Sequence, residues 1–278
     1  MSSQGQTIYF ISGANRGIGL GFVQALAKRA NTLIYAGVRD PNKADELQKL
    51  NALTKNIHII KLESTSESDA KAAAEKIEKT SGYIDVVIAN AGISNYHGPI
   101  VTTPIKEIRD HYEVNVAGPV ILFQALYPLL NKSKSGAPKF VVISSLLGSI
   151  GELIPAPRTT YGASKAAVNY VTKKIHQEHE EDGLIAFPIH PGLVQTDMGN
   201  HYATSVGLDE APVTIEESVQ GQLKVIDEAT REKTSGRFWD FEGKELPWIG
   251  NMITAGIYKF NKYGICSAEL TIQHSDYD

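Results

Sequence analysis

Thr7-Ile-Tyr-Phe-Ile-Ser-Gly-Ala-Asn-Arg-Gly-Ile-Gly-Leu-Gly21 joins two patterns at one glycine-rich turn. The β-branched and aromatic run from Thr7 to Ser12 reads as a strand, and beyond the turn Ile18, Phe22 and Leu26 recur every four residues, as on one face of a helix. Thr32-Leu-Ile-Tyr-Ala-Gly-Val38 is the next strand and completes a βαβ unit. Glycines between strand and helix let the backbone turn tightly and approach a pyrophosphate, whose charge then faces the positive end of the helix. The spacing is G-x-x-x-G-x-G rather than the general G-x-G-x-x-G, so the reading rests on position. At the first strand of a βαβ unit, dinucleotide contacts are expected from Gly13, Asn15, Arg16, Gly17, Ile18 and Gly19.

The alternation persists along the chain. Ile57-His-Ile-Ile-Lys-Leu62 reads as a strand, Ser68 to Thr80 as a helix, and Ile84-Asp-Val-Val-Ile-Ala89 as a nearly continuous apolar strand, which suits a parallel sheet covered on both faces. Thr103-Pro104 opens a long helix towards Leu130, Lys139-Phe-Val-Val-Ile143 is a strand, and a second long helix runs from about Tyr161 to Asp182, stopped by Gly183. Leu184 to Ile189 follows as a strand. Thr214-Ile-Glu-Glu217 is a capping box before a helix carrying Val219, Leu223 and Ile226, and Arg237 to Glu242 is the last strand. With neither internal repeats nor a linker, the fold class expected is α/β, a single doubly wound (Rossmann) parallel sheet with helices on both faces. Residues 1–245 form that domain, and residues 246–278, where the alternation stops, a C-terminal extension of it. Pro119 lies in the first long helix, one turn beyond Asn115. It has no amide for the Asn115 carbonyl, so a kink is expected at Gly118-Pro119, leaving that carbonyl to hold a water near Lys165.

Composition narrows the partners. Of the 278 residues, 42% are hydrophobic and 21% charged, which argues against disorder, collagen or a coiled coil. The 27 Lys and Arg against 31 Asp and Glu give a formal charge of -4, so there is no overall basic field for a nucleic acid or an anionic membrane. No run of about 18 apolar residues is present to span a bilayer. The single cysteine, Cys266, has no internal disulfide partner and no companion thiol for a zinc site, which fits a reducing compartment; no metal centre is expected. Met-Ser-Ser-Gln-Gly-Gln at the start lacks the cationic and apolar regions of a signal peptide, so a cytoplasmic location is expected.

In NAD-binding folds an acidic side chain at the end of the second strand usually holds the ribose 2′-OH. Here that strand ends Gly37-Val38-Arg39-Asp40. A guanidinium there, with Arg16 in the glycine turn, suits a 2′-phosphate, so NADP(H) is the expected cofactor. The alternative pairs Arg39 with Asp40 on the surface, or gives Asp40 to the ribose of an NAD enzyme. Further on, Tyr161-Gly-Ala-Ser-Lys165 puts a phenol and an ammonium on one face of a helix. That helix begins where a doubly wound sheet has its ligand crevice, and Ser144-Ser145 follows a buried strand. A tyrosine of pKa about 10 is a poor acid at neutral pH unless a cation stabilises its anion, which Lys165 and an oxidised nicotinamide would both do. A serine hydroxyl can then hold the substrate oxygen while the tyrosine transfers the proton.

The glycine motif, Asn90-Ala-Gly92, Asn115, Ile143-Ser-Ser145, Tyr161-x-x-x-Lys165 and Pro191-Gly-Leu-Val-Gln-Thr196 occur in an order that resembles the short-chain dehydrogenases/reductases, up to about residue 248. Gly13 to Gly21, Val87 to Ser94 and His190 to Gly199 resemble that family's fungal norsolorinic acid ketoreductase-like carbonyl reductases, an NADPH-linked branch that reduces ketones. The resemblance implies that Tyr161 is the proton donor, that Ser145, with Ser144 as the alternative, binds the carbonyl oxygen, and that Lys165 lowers the tyrosine pKa and bonds the nicotinamide ribose. It implies that Asn115 supports a water-linked proton relay. Asn90 and Gly92 would line the adenosine ribose side, and Glu63 stands near adenine, where the family usually has aspartate. Pro191, Val194 and Thr196 join the cofactor contacts, the last two at the carboxamide. The expected activity is NADPH-dependent reduction of a small-molecule ketone or aldehyde. The expected assembly is a homodimer or homotetramer paired through Val120-Ile-Leu-Phe123 and Val168 to Ile175. An NAD-linked alcohol dehydrogenase and a non-catalytic dinucleotide sensor are the alternatives.

Weaker signals carry expectations of their own. His176-Gln-Glu-His179 reads as a solvated helix face and His190 as a neutral, hydrogen-bonded structural histidine. Met198 to Leu208 reads as a loop with room to move over a ligand. Leu147, Ile154, Leu193, Met198, Tyr202 and Trp248 are candidate pocket walls, reshaped by a long Ser145-to-Tyr161 connection that contains Pro155 and Pro157.

Overall fold

Successive residues of β1 (Thr7–Ser12) go to opposite layers of the core, Ile8 and Phe10 to one and Tyr9 and Ile11 to the other. A strand buried on both faces must lie inside a parallel sheet. β1 pairs in parallel with β2 (Thr32–Val38) on one side and β4 (Val86–Ala89) on the other. β3 (Ile57–Lys61) extends the sheet beyond β2, and β5 (Lys139–Ile143), β6 (Ile185–His190) and β7 (Phe238–Asp240) extend it beyond β4. With β8 (Glu245–Leu246) antiparallel on the far edge, the order is β3-β2-β1-β4-β5-β6-β7-β8. This computed structural model describes residues 5–248 apart from Leu153 and Pro155, with the backbone of a short antiparallel pair, Tyr258–Phe260 and Cys266–Ala268, beyond them. The expected C-terminal extension therefore lies largely outside the described residues, as does the side chain of Cys266.

Helices cover both faces. On one, α3 (Glu67–Thr80), α5 (Gly118–Leu130) and α6 (Thr159–Glu178) bury Ile77, Leu126 and Val168. On the other, α1 (Gly17–Leu26) and α8 (Ile215–Glu228) bury Phe22, Leu26, Leu223 and Ile226, and α2 (Asp45–Thr54) adds Leu47. The expected doubly wound sheet is what is found. Sequence order reverses between β1 and β4, so the ligand crevice falls beyond their carboxyl ends. The capping box of α8 forms in both directions, between Thr214 and Glu217.

Several local expectations change. α2 was not anticipated although Leu47, Leu50 and Leu53 recur every three residues; only Leu47 is fully buried, Leu50 packs partly against the core, and Leu53 is exposed. The segment expected to be a loop from Met198 to Leu208 contains a helix, α7 (Asp197–Ser205), started by Thr196, whose Oγ1 accepts from the Gly199 amide at 3.1 Å. Pro119 does not break the helical run. Between α4 (Ile105–Tyr112) and α5 the chain winds as a π-helical turn, Glu113–Ala117, in which the Gly118 amide donates to the Glu113 carbonyl five residues back. The missing proline amide is absorbed by one wider turn. Ile105–Leu130 is, among the described residues, the one helical run long and apolar enough to cross a membrane by length and composition, and half of its most apolar stretch is packed inside the protein. Of the residues read as an interface between copies, Leu122, Phe123, Val168 and Ile175 belong to the chain's own core. Tyr170 points outward, 69% exposed.

Leu126, fully buried on α5, should lose about 2–5 kcal/mol of stability as Leu126→Ala. Leu53→Ala, at a site 83% exposed, should stay within about 0.5 kcal/mol. Urea denaturation of the two variants checks the layer assignment; equal effects would refute it.

Candidate active site

The glycine turn is held by its neighbour across the sheet. Asn90, just past β4, donates through Nδ2 to the carbonyls of Ser12 at 2.9 Å and Gly13 at 3.3 Å. Ser12 Oγ accepts from the amides of Asn90 and Ala91 at 3.0 and 3.1 Å. The turn itself needs a left-handed residue, Gly13 at φ +64°, and a close approach at Gly19, where a Cβ would lie 2.2 Å from the Gly13 carbonyl. No side chain fits there. The amino end of α1 is thereby pinned at the mouth of the crevice, where its dipole favours an anion.

A cavity of about 680 Å³ opens from this turn. Its walls include Gly13, Asn15, Arg16, Gly17 and Ile18, then Arg39, Glu63, Asn90 and Gly92, then Ser144, Ser145, Tyr161 and Lys165, then Pro191, Val194 and Thr196. Two expected residues stand behind the wall: Gly19, under the turn, and Asn115, which is buried. Gly92, read as part of the adenosine ribose side, lies instead against the chemical residues. A Cβ on it would stand 3.1 Å from Asn115 Oδ1 and 3.6 Å from Lys165 Nζ. Four cationic side chains, Arg16, Arg39, Arg158 and Lys165, face the cavity against two carboxylates, Glu63 and Asp197. Arg16 and Asp197 pair at 3.4 Å in the open, where such a pair contributes little. Arg39 does not pair with Asp40: the Asp40 carboxylate accepts from the Asn42 amide at 3.0 Å and lies 3.8 Å from Lys43.

At the chemical end, α6 begins at Thr159 and carries Tyr161 and Lys165 on the face turned to the sheet. The Lys165 ammonium lies 5.5 Å from the centre of the Tyr161 ring and donates to the Ile143 carbonyl at 2.8 Å. Burial alone brings its pKa down to about 8. Burial pushes the Tyr161 phenol above its ordinary value, while the Ser145 hydroxyl and the Arg158 guanidinium act to lower it. The two serines part company. Ser144 Oγ donates to Asn169 Oδ1 at 2.5 Å in the protein interior, whereas Ser145 Oγ accepts from the Leu147 amide at 3.2 Å and faces the phenol. Asn115 reaches the site through others: Oδ1 accepts from the Ile93 amide at 2.8 Å, and Nδ2 donates to the Ile93 carbonyl and to Ser164 Oγ, each at 2.9 Å. Ser164 Oγ in turn donates to the Tyr161 carbonyl at 2.7 Å.

Ser12, Ser164, Ser94 and Arg158 were missed by sequence reasoning, because a lone serine or arginine, whether at a strand end, inside a helix or in a loop, carries no spacing signal. Leu147, Ile154, Leu193, Met198 and Tyr202 do line the cavity. Trp248 does not; its ring packs on Phe238 with centroids 5.6 Å apart, under Lys173. The histidines read as a solvated face are used locally. His176 Nδ1 contacts Ser235 Oγ at 2.7 Å, and His179 pairs with Asp182 at 2.8 Å while its ring lies tilted against Tyr127, the centroids 4.3 Å apart. His190 is neutral as expected, its pKa lowered by burial to about 4, but its Nδ1 has no partner among the described residues.

Comparison with known proteins agrees with this geometry. The short chain dehydrogenase family pattern matches residues 7–206. A norsolorinic acid ketoreductase of Aspergillus parasiticus is 41% identical over 253 residues, covering 87% of this chain and 92% of that protein. An uncharacterized oxidoreductase of Schizosaccharomyces pombe is 39% identical over 251 residues, 87% of this chain and 98% of that protein. The NADPH-bound carbonyl reductase from chicken fatty liver superposes with a TM-score of 0.80 at 35% identity, over 88% of this chain and all (100%) of that one. The chain belongs to the short-chain dehydrogenase/reductase family, is norsolorinic acid ketoreductase-like in sequence, and has the Rossmann fold of the carbonyl reductases.

Proposed function

We propose that this protein is an NADPH-dependent carbonyl reductase. One observation carries the reading: a single cavity has the glycine turn and Arg39 at one end and Ser145, Tyr161 and Lys165 at the other. The cradle under Gly13 and Gly19 suits a pyrophosphate, and Arg16 and Arg39 would grip a 2′-phosphate. Asp40, which an NAD enzyme would need at the ribose, is absent from the cavity wall and is spent on the turn Pro41–Lys43. Val194 and Thr196 would hold the carboxamide. When bound, NADPH supplies the hydride. Tyr161 gives its phenolic proton to the carbonyl oxygen, Ser145 donates a hydrogen bond to the same oxygen, and the Lys165 ammonium offsets the charge left on the phenol. Asn115 is a positioning residue that fixes the first turn of α6 through Ser164. The ketoreductase name of the Aspergillus relative supports a ketone as substrate. A cytoplasmic homo-oligomer is part of the same reading.

Tyr161→Phe should lower kcat for ketone reduction about 10²–10⁴-fold while NADPH affinity, read by nucleotide fluorescence, stays within about twofold. Full activity in that variant would remove Tyr161 from the reaction. Wild-type kcat/KM should favour NADPH over NADH, and Arg39→Asp should lower that ratio by about tenfold or more; equal or better use of NADH by the wild type would contradict the role of Arg39. Lys165 gives a pH test. Its pKa is about 8 in the folded chain and ~10.4 when unfolded, so between these values the unfolded chain binds more protons. Stability of the cofactor-free protein should therefore rise as pH climbs through that window. The rise should be missing in Lys165→Met, measured by denaturation at each pH, and parallel curves would contradict the buried ammonium.

A further inference from the structure

Arg158 stands immediately ahead of α6, one turn before Tyr161, and lines the same cavity although it is only 5% exposed. Its Nη1 donates to Ser94 Oγ at 2.7 Å. Its Nη2 is buried without a hydrogen-bond partner among the described residues. One face of the guanidinium is covered by the Tyr202 ring of α7, 4.4 Å from its centroid. The ionisable groups that act to favour its charged form are the phenols of Tyr161 and Tyr202, and among the described residues no carboxylate does so. The cavity's two carboxylates are Glu63 and Asp197, and Asp197 pairs with Arg16. His97, which feels the same guanidinium, has its pKa lowered by burial and by that charge, and stacks on His201.

A buried guanidinium that lacks both a counter-ion and one hydrogen-bond acceptor is costly to keep. Its planar fork is shaped for a bidentate oxygen acceptor, and Tyr202 occupies a face of the plane, not the edge from which its N–H groups point. The dinucleotide phosphates have their own cations at the other end, Arg16 and Arg39, so the acceptor belongs to the substrate. We propose that Arg158 is a specificity-determining residue that selects ketones carrying an anionic oxygen, a carboxylate or an acidic phenol, near the carbonyl that Tyr161 protonates. This rests on the reductase reading and narrows its substrate class.

The test compares matched ketones with NADPH: meta-acetylbenzoate against its methyl ester, and 4-hydroxy-3-nitroacetophenone, whose phenol is ionised at neutral pH, against its methyl ether. The two pairs separate a carboxylate preference from a phenol preference. In the wild type, kcat/KM should favour the acidic member of at least one pair. In Arg158→Gln that ratio should fall by about tenfold or more, mainly through KM, and Arg158→Lys should restore part of it. Because Arg158 also acts on Tyr161, any effect on proton transfer changes kcat for both members alike and cancels in the ratio. A wild-type ratio at or below one for both pairs overturns the proposal without any variant, and an unchanged ratio in Arg158→Gln overturns it as well. If no ketone is reduced, calorimetry of meta-acetylbenzoate and 4-hydroxy-3-nitroacetophenone with the protein–NADP⁺ complex decides. Binding of either that is lost in Arg158→Gln upholds the anion subsite while rejecting the reductase reading, and absence of binding rejects the subsite.

Discussion

Ser12 and Asn90 tie the ends of β1 and β4 together through paired hydrogen bonds, and the Gly13 carbonyl leaves room only for hydrogen at Gly19. Those contacts set how closely the first turn of α1 approaches the sheet, and so where its amino end can meet an anion. The same β4 exit continues through Ala91 and Gly92 to Ile93, whose backbone is gripped on both sides by Asn115. Asn115 reaches Ser164, and Ser164 the Tyr161 carbonyl. Hydrogen bonds joined by the backbone from Asn90 to Ile93 thus run from the glycine cradle to the tyrosine, and the two ends of the cavity are built on a common brace. The π turn at Glu113–Ala117 serves that brace by carrying Asn115 past Pro119 without breaking the helix.

Charge in the site is organised by burial more than by pairing. Lys165 has a backbone carbonyl for a partner and loses much of its affinity for a proton to desolvation. Arg158 is buried too, with a serine and a tyrosine ring for company. The exposed Arg16–Asp197 pair, open to solvent and salt, is a weak contact by comparison. The work expected of Lys165 and an oxidised nicotinamide is therefore shared with Arg158, whose charge acts to lower the Tyr161 phenol. An electropositive cavity of this kind favours a phosphate-bearing ligand at one end and an oxyanion-forming centre at the other.

The fold was legible where burial is complete and local. β1 and β5 fall at their expected residues, because continuous apolar runs between turn signals have no other place in a doubly wound sheet. β4 starts two residues later than expected because Asp85 is diverted to accept from the Ile8 amide at 2.8 Å. α2 and α7 were not anticipated, the first because its short run of Leu47, Leu50 and Leu53 buries only Leu47 fully and the second because its start is set by a Thr196 side chain. Within the site, the glycines, Ser145, Tyr161 and Lys165 were readable from motif spacing. Gly92 sits at the chemical end instead of the ribose side, and Trp248 left the cavity for Phe238, since neither position is governed by a local repeat.

The sequence by itself determined the order of strands and helices, the single sheet, the glycine cradle and the helical spacing of phenol and ammonium. Each of these follows from periodicity, backbone freedom or an interval of a few residues. Tertiary structure decided which of two adjacent serines faces the phenol, how Asn115 reaches the site, and that Arg158 is buried with an unused donor. Those outcomes depend on what distant segments bring to one place: Ser94 lies 64 residues from Arg158, and Tyr202 comes from another helix altogether. Hydrogen-bond satisfaction and desolvation belong to the packed arrangement of such groups, so no local pattern in the chain can encode them.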